Sequence, residues 1–142
     1  MRIKNVVVIG SGTMGSGIAA HLCNADVPVT LLDLKTEISE RARERIHKSK
    51  PPLLIDKSKI SNIKVGNIED DFDVVKEADW VVEAVVERID IKHQIYKKIF
   101  MARKDGAIVS SNTSSIPIKV LSEHLTDKEK KDFCITHFFN PV

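Results

Sequence analysis

Apolar residues fall in short runs along this chain, separated by stretches of helical periodicity. The run Val6–Ile9 breaks at Gly10 and predicts a first strand. Met14 to Ala25 reads as a helix with Ile18, Leu22 and Ala25 on one face, ended by Asp26 and Pro28. Val29–Asp33 is a second strand. Thr36 is expected to cap a charged helix over Glu37 to Lys48, which Pro51-Pro52 stops. Residues 53–62 carry no clear period. Ile63–Val65 reads as a short strand, Asp71–Glu77 as a short helix, and Trp80–Val85 as an apolar strand buried on both faces. Ile91, Ile95 and Ile99 recur every four residues along the next helix. Ala107–Ser110 is a strand, Ile118 to His124 a helix after Pro117, and Phe133–His137 a last strand. This alternation predicts an α/β fold: a doubly wound, mainly parallel sheet with helices on both faces.

The turn after the first strand carries chemistry. Gly10, Gly12 and Gly15 lie between a strand and a helix, and Asp33 closes the second strand. Gly10 suits the tight turn. Gly12 lacks the Cβ that would block a pyrophosphate, and Gly15 lets the helix sit close to the strand. Thr13 and Met14 open the helix, whose free N–H groups favour phosphate. A carboxylate at Asp33 accepts hydrogen bonds from ribose hydroxyls and repels a 2′-phosphate, which favours NAD over NADP; Lys35 lessens that exclusion. FAD and S-adenosylmethionine sites share this first unit, so the turn alone does not name the cofactor. Parallel sheets bind ligands beyond the carboxyl ends of their strands. Glu87, the segment Ser110 to Ser115, and His137 each follow a strand, so all should gather beside the glycine turn.

The 142 residues fit one domain, and 42 % hydrophobic with 30 % charged residues is an ordinary globular balance. A net charge of +2 does not point to nucleic acid. No apolar stretch approaches the roughly 18 residues of a membrane span, and the N-terminal run is too short for a signal peptide. Cys23 and Cys134 have no CxxC partner and are expected to be buried thiols. His21, His47, His93 and His124 have no metal-like partner at helical spacing, so no metal site is expected. From Arg41 to Lys64, eight Lys and Arg face only Glu44 and Asp56. A solvated helix face accounts for that as well as an anion path does.

Three segments are more specific. Val82-Glu83-Ala84-Val85-Val86-Glu87, then Ser111-Asn112-Thr113-Ser114-Ser115, then His137-Phe138-Phe139-Asn140-Pro141-Val142 follow the glycine turn in that order. The whole chain thereby resembles the NAD-binding domain of L-3-hydroxyacyl-CoA dehydrogenases. The resemblance implies a Rossmann domain over 1–142, NAD as cofactor, and oxidation of a 3-hydroxyacyl-CoA to the 3-ketoacyl-CoA in fatty-acid β-oxidation. It makes His137 the general base, with Ser114 and Asn140 at the same centre. Glu87, Lys92, Asn112, Ser114 and Asn140 become cofactor contacts, and Ser49 and Lys50 candidate contacts to the coenzyme A, with Ser114 also on the substrate.

The resemblance further implies a helical substrate and dimerisation domain, and a glutamate about a dozen residues beyond His137 that orients its ring. Neither is within these residues. A chain of this length is therefore expected to bind NAD with little turnover. It also implies a parent enzyme that is a homodimer or part of a multifunctional complex. With no targeting segment read, the cytoplasm is the expected location, or the mitochondrial matrix for a mature form with its leader removed. Two other readings stand beside it: a nucleotide-sensing module without chemistry, and a dehydrogenase of a non-CoA hydroxy acid.

Overall fold

A computed structural model describes residues 2–142. Its strands are β1 (Val6–Ile9), β2 (Val29–Asp33), β3 (Ile63–Asn67), β4 (Trp80–Glu83), β5 (Ile108–Ser111) and β6 (Phe133–Ile135). All strand pairs are parallel, in the order β3-β2-β1-β4-β5-β6. The strand order reverses at β1, where a crevice opens beyond the carboxyl ends of β1 and β4. Helices α1 (Thr13–Asn24), α2 (Thr36–Lys48) and α3 (Ile89–Ala102) cover the faces, with one-turn helices α4 (Ile118–Leu121) and α5 (Asp127–Lys130) near β6. No described helix is long and apolar enough to cross a membrane.

The alternation of side chains along each strand divides the core in two. Val6, Val8, Leu31 and Val82 face α1 and α2, packing on Ile18, Ala42 and Ile46. Val7, Ile9, Val81 and Val109 face α3, packing on Ile95, Tyr96 and Ile99. Every β1 residue is buried, as a strand covered on both faces requires.

Several boundaries differ from expectation. Lys35, not Thr36, occupies the cap position of α2 and makes no capping hydrogen bond; Thr36 Oγ1 instead accepts from Asn67 Nδ2 at 3.0 Å. The expected helix Ile118–His124 is a single turn. The expected helix at 71–77 is a 3-10 turn, Phe72–Glu77, and residues 57–62 form another. The one-turn α5, which Thr126 and Glu129 cap reciprocally, has no counterpart among the expected elements. Cys23 is buried as expected; Cys134 is only half-buried.

Asp79 ties the N-terminal segment to the sheet. Its Oδ2 accepts from the backbone N–H groups of Lys4 and Asn5 at 2.7 and 3.1 Å, and Lys104 donates to Oδ1 at 2.6 Å. The Lys104 hydrogen bond, then the two N–H groups, pull the carboxyl down to about 2 from its ordinary 3.8. A carboxylate depressed in the fold stabilises above its unfolded value, and that contribution disappears as pH falls from about 4 through about 2. The stability difference between the native chain and Asp79→Asn should therefore be full at pH 6 and shrink through that window. Urea unfolding across a pH series reads it, and a difference independent of pH would refute it.

Candidate functional site

The glycine turn leaves β1 with Gly10 at φ +102°, a left-handed conformation in which any Cβ would lie 2.4 Å from the carbonyl oxygen of Ala84. A Cβ at Gly15 would lie 1.8 Å from the Gly10 carbonyl oxygen, so only glycine lets α1 start against the turn. Gly12 is the opposite case: a Cβ there would meet nothing within 4 Å. Its lack of a side chain leaves the N-terminus of α1 uncapped and open to a ligand.

A groove of about 630 Å³ lies along this turn, lined by Gly10, Gly12, Asp33, Arg45 and the apolar side chains of Leu34 and Ile38. Ala84 and Val85 also border a second hollow of about 340 Å³. Met14, Glu87, Lys92, Asn112, Ser114, His137 and Asn140 line that hollow. Seven residues singled out in the sequence thus share one wall. The chain segment after β6 achieves this by turning back over α1: Phe138 donates its N–H to Asn112 Oδ1 at 2.8 Å, and Val142 packs where Gly17 leaves room. The His137 ring is exposed and packs at 4.7 Å from the Phe139 ring.

Asp33 stands at the end of β2 and also braces the turn. Its Oδ2 accepts from the Ser11 N–H at 2.8 Å and the Ser11 hydroxyl at 2.5 Å, while Oδ1 accepts from the Leu34 N–H at 2.7 Å. Arg45 belongs to the basic stretch 41–64 but has a specific place here. Its guanidinium donates to the Ser11 carbonyl at 3.1 Å and brings a positive charge to the groove wall.

The residue most clearly missed is Glu83, the last of β4. It is fully buried on the α3 side of the sheet. Oε1 accepts from Lys92 Nζ at 2.6 Å and the Val85 N–H at 2.9 Å; Oε2 accepts from the Tyr96 hydroxyl at 2.7 Å and the Ser111 hydroxyl at 2.6 Å. Four donors fill the carboxylate, which is what makes a charge tolerable there. Lys92 is correspondingly no surface lysine: its side chain is 1 % exposed, and it also reaches Glu87 at 2.9 Å. Tyr96 is more than a packing residue. Burial, then the Glu83 charge, pushes its hydroxyl well above the ordinary phenol range, so it stays a donor. The signal was present: an acid inside an apolar strand needs a cation, and Lys92 and Tyr96 are four apart on one helix face.

Glu87 sits at the rim, with Thr113 and Ser115 hydroxyls donating to Oε2 at 2.7 and 3.2 Å. Partial burial raises its carboxyl, but the Lys92 and Thr113 hydrogen bonds outweigh that and hold it below its ordinary value. The hollow is therefore lined by an ionised acid, its paired ammonium and the His137 imidazole.

Ser49 and Lys50 do not join them and line neither hollow. Helix α2 runs back from the carboxyl edge of the sheet. The segment after it packs on the far end of α1, where Asn24 Nδ2 donates to the Leu53 carbonyl and Asn24 Oδ1 accepts from the Ile55 N–H, both at 2.9 Å.

Comparison with known proteins gives a consistent result. A family model described as "3-hydroxyacyl-CoA dehydrogenase, NAD binding domain" matches residues 5–142. A Rickettsia felis protein named "Putative fatty acid oxidation complex trifunctional enzyme" is 47 % identical over 98 % of this chain, which spans 20 % of that protein. A "Probable 3-hydroxyacyl-CoA dehydrogenase" of Bacillus subtilis is 41 % identical over 99 % of the chain, again 20 % of the relative's length. The crystal structure of Mycobacterium tuberculosis FadB2 superposes with a TM-score of 0.87 at 30 % identity, over 100 % of this chain and 51 % of that one. The chain thus spans about a fifth of the length of these two sequence relatives.

Proposed function

This chain belongs to the family of 3-hydroxyacyl-CoA dehydrogenase NAD-binding domains, and from that premise we propose how its own residues divide the work. The residues fit the dinucleotide. The Gly12 side of the turn is open, the α1 N-terminus is uncapped, and two hollows adjoin along Ala84 and Val85. In this reading Asp33 meets the adenosine ribose, the Gly10–Gly15 turn with Thr13 and Met14 meets the pyrophosphate, and Glu87, Lys92, Asn112, Ser114 and Asn140 meet the nicotinamide half. Bound NAD supplies a hydride acceptor.

The substrate class is an L-3-hydroxyacyl-CoA, with the 3-ketoacyl-CoA as product. His137 takes the 3-hydroxyl proton as a hydride leaves C3 and the carbonyl forms. An exposed imidazole at the mouth of the hollow is placed to accept that proton. Ser114 and Asn140 hold the hydroxyl oxygen. The observation that carries this reading is the single wall shared by Met14, Glu87, Lys92, Asn112, Ser114, His137 and Asn140. An acyl-CoA partner, a dimeric or multifunctional parent enzyme and a cytoplasmic site belong to the same proposal, supported by relatives named for a fatty acid oxidation complex.

Titration calorimetry tests it. The chain should bind NAD saturably and more tightly than NADP. Gly12→Ala should leave the melting temperature nearly unchanged, because its methyl enters open space. It should weaken NAD at least about tenfold, because that space is where the pyrophosphate lies. No binding of NAD by the native chain, or equal affinity in Gly12→Ala, would overturn this assignment.

A further inference from the structure

Outside the cleft, α3 and the turn after α4 bring three ligating side chains together. His93 Nδ1 lies 3.9 Å from Glu123 Oε1, and His124 Nε2 lies 3.5 Å from the same oxygen. The two imidazoles meet edge to face, their centroids 4.5 Å apart, and the three ligand atoms lie within 4.8 Å of one another. The sequence hid this group, because His93 is thirty residues from Glu123 and helical spacing cannot show it.

The distances fit a small cation better than they fit hydrogen bonds. An N–H···O bond is about 2.7–3.2 Å, shorter than either contact. Around a tetrahedral zinc with bonds of about 2.0–2.1 Å, ligand atoms stand roughly 3.3–3.5 Å apart. The His124–Glu123 spacing of 3.5 Å is already there, the His93–Glu123 spacing of 3.9 Å needs a few tenths of an ångström, and the two histidine nitrogens, within 4.8 Å, close the rest by rotation of the exposed His124 ring.

A second observation concerns the tautomer. His93 Nε2 lies 2.9 Å from the Val120 carbonyl oxygen. A carbonyl only accepts, so Nε2 carries a proton, which leaves Nδ1, facing Glu123, as the ring nitrogen available to a cation. A backbone carbonyl on the far ring nitrogen is how metal-ligating histidines are commonly oriented. The His93 side chain is only 15 % exposed, so its ring is held in place by packing.

We propose that His93, Glu123 and His124 form a surface site for a borderline divalent cation of the zinc class, with the remaining position taken by water. Two imidazoles and one carboxylate select zinc, cobalt, nickel or copper over magnesium or calcium. None of the three residues lines the dinucleotide groove or the adjoining hollow. The bound ion would join α3 to the turn following α4, and would stabilise that corner of the domain rather than take part in hydride transfer.

Zinc titration by calorimetry in a non-chelating buffer, with cobalt as an optical probe, tests the site. One equivalent should bind with micromolar or tighter affinity, and cobalt should show the intense visible bands of four-coordination. His124 and Glu123 are 71 % and 53 % exposed, so His124→Ala and Glu123→Gln should fold normally. Each should weaken zinc about tenfold or more. Zinc should raise the melting temperature of the native chain and not that of His124→Ala. His47→Ala, an exposed histidine on α2, should change nothing. Absence of a saturable single equivalent, or a loss below threefold in both His124→Ala and Glu123→Gln, would overturn the proposal.

Discussion

Glu83→Ala is expected to destabilise the domain by about 3–5 kcal/mol, the cost of leaving the partner of a buried ion pair behind. Lys92 would keep its charge at 1 % exposure with only the rim carboxylate of Glu87 beside it. The buried hydroxyls of Tyr96 and Ser111 would lose their acceptor as well. For a domain of this size the melting temperature should fall by about 10 °C or more. The double variant Glu83→Leu/Lys92→Met removes both charges together, and should lose less than the sum of its single variants. Thermal and urea unfolding of the four proteins measure this coupling. A loss below about 1 kcal/mol in Glu83→Ala would show that the pair contributes little, contrary to its burial.

His137→Gln is expected to lower kcat about 10²–10⁴-fold, the usual contribution of a positioned general base. That is about 3–5 kcal/mol of barrier. The measurement belongs to whatever length of chain turns over hydroxyacyl-CoA. NAD affinity should change less than about threefold, because the ring is exposed at the mouth of the hollow and its one aromatic contact is to the exposed Phe139. The fold should be unaffected for the same reason. A drop under tenfold would remove His137 from proton transfer, and a parallel loss of NAD affinity would recast it as a binding residue. The Glu83 effect is read as stability and the His137 effect as rate, so the two tests separate the support of the site from its chemistry.

Much of the architecture was legible because it depends on neighbours in sequence. The runs at 6–9, 29–33 and 80–83 are apolar because both faces of a parallel sheet are covered, and the strands lie where those runs lie. Gly15 was readable because its reason is steric and local, a Cβ against the Gly10 carbonyl five residues earlier, whereas the Gly10 clash with Ala84 appears only when β4 lies beside β1. Element ends were less legible. The expected strand to Val85 stops at Glu83, whose own side chain accepts the Val85 N–H and turns the backbone. Thr36 looks like a cap by composition, but its hydroxyl is engaged by Asn67 from β3.

The amino-acid order by itself determined the alternation of strands and helices, the glycine turn with Asp33 across from it, and which strand ends would carry polar groups. These follow from periodicity, backbone sterics and the rule that parallel strands end on one edge. Only the tertiary structure decided that Lys92 is a buried ion and not a surface one. Only it drew Arg45 to the groove while Ser49 and Lys50 stayed outside both hollows, and only it set His93 against Glu123 and His124. The physical reason is common to all three. The environment of a long polar side chain is set by whichever distant segments pack around it, and a charge or lone pair finds its partner across space that sequence spacing does not measure.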